Sequence, residues 1–254
     1  MKPFTSYGTS AEHPDKSSSV QSGSSTKLLW AAVALILLYA VLDGVAQVLP
    51  PHYSPISQAE SDLAVGPYGY VMTINFVNRG VLSLFFVFGF VGALRQAGES
   101  LGRYRGGLML LGTWGIGAFL LAAFPTDVPS TPVSWHGAIH LVVALVAFVA
   151  GGLGTLWVSL RVGSDPVLRG AKNFAAPISI VAAVSLVLLF GTLSGPTGGL
   201  VERVFIGSVL LWELATSIYL IRSANVRAGR RSSGYTHLDY GEGHRPGEAL
   251  NSPV

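Results

Sequence analysis

Six long apolar runs punctuate the chain, at about residues 28–49, 71–94, 106–124, 137–160, 174–193 and 203–221. Each is close to or above the roughly 18 apolar-rich residues that mark a membrane-spanning helix, because about 20 residues at about 1.5 Å rise cross a ~30 Å hydrocarbon core. The pattern predicts an all-α, polytopic membrane protein, a bundle of six transmembrane helices. It divides the chain into an N-terminal tail (1–26), a membrane domain (27–222) and a C-terminal tail (223–254). Both tails are rich in Ser, Gly and other small or polar residues and carry too little bulky apolar surface to offset ordering, so disorder is expected in each. An uncleaved first helix fits better than a signal peptide, since 26 mostly polar residues precede an apolar stretch longer than an ordinary h-region.

Charge sets the orientation. Of 16 Lys and Arg residues, only Arg79 and Arg203 fall outside the segment before the first run, the second-to-third loop, the fourth-to-fifth loop and the segment after the sixth run. Cytoplasmic loops carry the basic excess, so both termini are expected in the cytoplasm, with the protein multi-pass in the plasma membrane. The net charge of +3 is then a topology signal and gives no reason to expect nucleic acid as a partner. The absence of cysteine excludes disulfides, thiolate metal ligands and a cysteine nucleophile.

The chemistry-bearing side chains gather in the other three loops, 50–70, 125–136 and 194–202. Together they bring Ser54, Ser57, Glu60, Asp62, Asp127, His136, His140, Glu202 and Arg203 to one membrane surface. Three stretches there resemble the bacterial and archaeal family of six-helix membrane proteins filed as domain of unknown function 998. They are Tyr-Ser-Pro-Ile-Ser (Tyr53 to Ser57) with acids after it, Phe-Pro-Thr-Asp (Phe124 to Asp127) followed by His-Gly-x-x-His (His136 to His140), and the Glu202–Arg203 pair opening helix six. The resemblance covers about 28–222 and implies a fold and a topology. It implies no activity.

His136 and His140 lie one helical turn apart, on one face at the outer end of helix four. Two such histidines with a carboxylate can hold Zn²⁺ and leave a position for water. Asp127 is the candidate third ligand, and Glu60 or Glu202 the candidate base. The competing expectation is structural: Ser134 or His136 caps the helix, Asp127 forms an Asx turn, and His140 bonds a neighbouring helix. Ser54 and Ser57 read as turn residues sooner than as nucleophiles, because neither lies in a Gly-x-Ser-x-Gly elbow.

Within the helices, Asp43 with Gln47, Asn75 with Arg79, and Glu213 are costly in lipid and should face the bundle. Similar depths predict an Asp43–Arg79 ion pair, and Glu213 is a candidate proton site. Gly112, Gly115 and Ala118 on helix three, and Gly151, Gly152 and Gly154 on helix four, predict close packing. The glycines of 191–199 suggest a flexible outer loop able to act as a lid.

Three functions fit. The first is an enzyme hydrolysing or transferring a group on a lipid or lipid-linked substrate, with a metal on His136, His140 and Asp127, proton handling by Glu60 or Glu202, and Arg203 on an anionic headgroup. A non-catalytic binding or sensor protein would use the same outer loops to bind another protein or membrane lipids. A transporter would run along Asp43, Arg79 and Glu213, though little polarity continues towards the cytoplasmic half.

Overall fold

The computed structural model describes residues 16–128, 131–192 and 195–239. Among these, six helices are long and apolar enough to cross a membrane. They are α1 (Lys16–Val48), α2 (Gly69–Gln96), α3 (Arg105–Ala123), α4 (Trp135–Val162), α5 (Lys172–Thr192) and α6 (Gly198–Asp239). No strand occurs among the described residues. The expected all-helical, six-span architecture is therefore the observed one.

Each helix packs on its sequence neighbour, and α6 returns to α1, so the six form a closed ring. Both α2 and α6 lean inward and touch across the centre. This explains why they are the more deeply buried spans and why they carry more of the buried polar side chains than the other helices. The outer surface of the ring is apolar, with Leu37, Val41, Phe88, Ile116, Leu160, Val187 and Leu211 all exposed. Such a belt is costly in water and suited to lipid.

The core is layered. At the end where α2 meets α3, Phe86, Phe90, Tyr104, Val158, Leu168 and Trp212 pack together. Asp165 closes that end: fully buried, it accepts from the Tyr104 hydroxyl at 2.9 Å and from the amides of Val167 and Leu168. A central layer is built on Leu82, Trp114, Leu186 and Phe205. The opposite end holds Met72, Phe76 and Leu121 beneath a short 3-10 turn, Glu60–Ala64, whose Leu63 plugs the bundle.

Several boundaries differ from the sequence expectation. Helix α1 begins at Lys16 and α6 continues to Asp239, well into the two expected tails. The remainder of those tails, 1–15 and 240–254, lies outside the described residues. Helix α6 also begins earlier, at Gly198, so Gly198 and Gly199 are helical and only a brief turn at 195–197 precedes them among the described residues. A side chain on Gly199 would run into the carbonyl of Gln58. Glycine there lets the first loop lie directly on the start of α6, and the segment expected as a lid is instead largely a docking point.

Candidate functional site

Tyr39, Asp43 and Gln47 recur every four residues on α1 and so line one face of it. The Tyr39 hydroxyl donates to Glu60 Oε1 in a short hydrogen bond. Gln47 Nε2 donates to Asp43 Oδ2 at 2.6 Å. Glu60 is drawn in by its place in the 3-10 turn and is only 2 % exposed. Its own amide donates to Glu202 Oε2 at 2.9 Å, which ties the turn to the first part of α6. Burial, reinforced by the Asp43 charge, pushes the Glu60 carboxyl above the ordinary carboxylate range, against the opposing pull of Arg79, Tyr39 and Arg203.

Arg203 follows Glu202 and clamps the same loop from beside it. Its Nη1 donates to the carbonyls of Pro55 and Gln58, each at 3.0 Å, and of Gly199 at 3.1 Å. Its Nη2 donates to the Tyr53 hydroxyl. Tyr53 in turn donates to the Ala59 carbonyl at 2.8 Å. The Glu202–Arg203 pair therefore organises residues 53–60 through backbone groups, which require no particular side chains in the loop beyond Tyr53. Ser54 and Ser57 hold the turn itself: the Gln58 amide donates to the Ser54 carbonyl at 2.9 Å, and the Ser57 amide donates to Ser54 Oγ at 3.4 Å.

Between α1 and α6 a groove of about 360 Å³ opens beside this cluster. Ile36, Leu37, Ile206, Leu210, Leu211 and Leu214 make its apolar wall, and Tyr39, Asp43, Glu60 and Arg203 make its polar end. Gly207 lies along it with open space where a side chain would project. Leu37 and Leu211 are exposed at its mouth, so the groove faces the lipid belt.

The family comparison bears on this cluster. The family described as "Protein of unknown function (DUF998)" matches residues 32–219. The chain belongs to this family. No curated protein and no solved structure gives a match. The DUF998 match begins on α1 and ends within α6, so it spans every residue of the groove and of the loop clamp.

The histidine region is arranged differently from the groove. Asp127 accepts from the Ser134 amide at 2.9 Å and from the Ser134 hydroxyl at 2.5 Å. Those bonds lower its pKa below the ordinary aspartate value. Ser134 Oγ in turn accepts from the Gly137 amide at 3.1 Å and caps α4. Any side chain at Gly137 would strike the Asp127 carboxylate. His140 is buried, with Nδ1 at 2.8 Å from the Phe124 carbonyl and its ring near Phe76. His136 stacks on Trp135. The structure thus does not gather His136, His140 and Asp127 around a common point. Among the described residues no group of three or more His, Asp or Glu is placed to hold a metal. A shallow cavity of about 410 Å³ does join the first two loops, with Asp62 and Asp127 on its wall. Burial raises the pKa of Asp62 there.

The expected Asp43–Arg79 ion pair does not form. Asp43 bonds Gln47, while Arg79 lies deeper and stacks on Trp114 and Phe76, its guanidinium carbon 4.5 and 5.2 Å from the ring centroids. Two aromatic faces substitute for a counter-ion, an arrangement worth about 2 kcal/mol when desolvated. Glu213, also fully buried, accepts from the Ser83 hydroxyl at 3.2 Å. The sequence reading missed Tyr39. Its signal was present: Tyr39 sits one turn before Asp43 on the face already marked by Asp43 and Gln47.

Proposed function

We propose that this DUF998 protein binds a lipid or lipid-linked molecule at the extracytoplasmic face, with its apolar chain in the α1–α6 groove and its polar end on Asp43, Glu60 and Arg203. The observation that carries this reading is the groove itself, about 360 Å³, apolar along its length, open towards lipid and polar at one end. Ligand sites commonly have this make-up, an apolar cleft of about 300–1,000 Å³ with a few convergent polar groups. Glu60, buried and inclined to keep its proton, beside Asp43, also supplies an acid–base pair for hydrolysis or group transfer on the bound molecule. A non-catalytic sensor would use the same binding contacts without that step.

The groove accounts for a ligand without rearrangement, which favours it over the metal-dependent version of the enzyme. For zinc to be held by His136, His140 and Asp127, the three side chains must be drawn together, since no such group is so placed among the described residues.

A photoactivatable phospholipid in reconstituted vesicles tests the proposal. Crosslinks are expected on α1 between Ile36 and Asp43 and on α6 between Arg203 and Leu214. Gly207→Leu fills open space along the groove, so it should abolish those crosslinks while leaving thermal stability intact. Undiminished labelling of that variant would remove the groove as the site.

A further inference from the structure

The end of the bundle away from Glu60 has a groove of its own, about 600 Å³, between the α4–α5 connection and the far part of α6. Tyr219, Arg222, Ser223, Val226 and Arg227 form its α6 wall. They stand at i, i+3, i+4, i+7 and i+8, so a single stripe of the helix faces the groove. Pro166 and Val167 form the other wall. That wall is fixed in place: the Tyr219 hydroxyl donates to the Val167 carbonyl at 3.0 Å, and buried Asp165 accepts from the Val167 amide at 2.9 Å. Gly170 lets the connection close on α6, since a Cβ there would stand 2.8 Å from the Tyr219 hydroxyl oxygen.

The arginines at this end are not alike. Arg103 donates to the Ser164 carbonyl at 3.3 Å, and Arg161 donates to the Trp157 carbonyl and lies 4.1 Å from the Trp157 ring centroid. Arg222 and Arg227 make no hydrogen bond or ion pair among the described residues, yet both line the groove. Asp165, the acid beside them, is spent on Tyr104 and on backbone amides. The groove therefore presents two uncommitted guanidinium forks and no free carboxylate, a demand for an anion with several acceptor oxygens. Depth says which anion. Leu220 and Ile221 are the last residues of α6 buried in the core, and about 20 residues back from them is the start of the helix, so the span ends here. Tyr219 then sits at the interface and the two arginines just beyond it, at the level of lipid phosphates. Val167, Val226 and the Tyr219 ring supply apolar surface beside them.

We propose that this groove is a site for an anionic phospholipid, with its phosphate held by Arg222 and Arg227 and its acyl chains turned past Tyr219 into the apolar belt. The site is separate from the α1–α6 groove and does not depend on it. A zwitterionic choline lipid fits less well, because its ammonium finds no carboxylate to receive it.

Native mass spectrometry of the full chain in neutral detergent, titrated with single lipids, tests the site without the surface potential of a bilayer. Phosphatidylglycerol is expected to bind more tightly than phosphatidylcholine by about fivefold for each arginine engaged, about thirtyfold in all. Arg222→Gln and Arg227→Gln should each lose about fivefold, and the double variant should hold the two lipids equally. Ser223→Glu keeps both arginines, adds a carboxylate between them and should also lower the phosphatidylglycerol affinity. Arg103→Gln removes the same charge from the same end and should leave the preference intact. Equal binding of the two lipids by the unaltered protein would overturn the proposal. So would an equal loss in Arg103→Gln, which would mean diffuse surface charge in place of a built site. Glycerol 3-phosphate displacing phosphatidylglycerol at equal concentration would overturn the lipid and assign a soluble phosphate ester.

Discussion

Ser134 shows how one side chain can take over a position that looks catalytic. It caps α4 through Gly137 and holds both oxygens of Asp127. Ser134→Ala should cost about 1 kcal/mol, the usual worth of an N-cap, measured by thermal unfolding in detergent. His140→Ala should cost more, roughly 1–3 kcal/mol, because it strands the Phe124 carbonyl, whereas His136→Ala should be nearly neutral. Zinc that raises the melting temperature of the unaltered protein, but not of His140→Ala, would bring the metal reading back. Glu60 makes a second prediction at this scale. Tyr39, Asp43, Arg79, Glu202, Arg203 and Tyr53 surround it, and the sum of burial and charge raises its folded pKa. The folded chain then binds the proton more tightly than the unfolded chain. Stability should be greatest below the ordinary glutamate value of about 4.3 and decline as pH rises from there through the raised value. Glu60→Gln should flatten this part of the profile; an unchanged slope would mean that Glu60 ionises normally. The residues that were legible in the sequence follow from spacing: Asp43 with Gln47, and Glu202 with Arg203. Asp127 and His140 carry two readings in the sequence because ligand spacing and helix-start capping use the same residues, and the contacts with Ser134 and Phe124 become visible only in space.

Helices were legible as elements because lipid demands about 20 apolar residues per span, but their mutual faces were not. Gly112 has the small-residue look of a packing position, yet a side chain there meets nothing within 4 Å. Gly154, by contrast, lies where a Cβ would stand 2.9 Å from Leu111 and 3.2 Å from the Gly107 carbonyl. The α3–α4 seam is therefore set by backbone approach at Gly107 and Gly154, and glycine spacing along one helix cannot reveal which partner surface it meets. Gly154→Leu should lose at least about 1–3 kcal/mol through overpacking, whereas Gly112→Ala should be neutral or stabilise slightly from improved helix propensity. Thermal unfolding of the two variants side by side checks the assignment. Equal losses would mean that both glycines are buried in contacts. The same argument explains the early start of α6: the approach of Gly199 to Gln58 is a tertiary fact, and hydropathy alone places the boundary at the first strongly apolar residues.

A ring of six spans puts the start of α1 and the end of α6 at the same end of the bundle, and the polar head of the α1–α6 groove at the opposite one. Which of these ends faces the cytoplasm rests on the basic residues. Arg95, Arg103, Arg105, Arg161, Arg169 and Lys172 all lie at or near the end that carries the start of α1 and the end of α6, and such residues are retained on the cytoplasmic side. The protein contains no cysteine, so single cysteines can be introduced into it without removing any. Ser57→Cys and Thr131→Cys, both exposed in loops at the end of the bundle that holds the polar head of the α1–α6 groove, should react with a membrane-impermeant maleimide on intact cells. Ser100→Cys and Ser164→Cys, exposed at the other end, should react only after permeabilisation. The reverse pattern would leave the fold, the clamp of Arg203 on the first loop and the α1–α6 groove unchanged, because none depends on orientation. It would move the carboxylate pair to the inner leaflet, and the lipids able to reach Asp43 and Glu60 would then be those of the cytoplasmic surface.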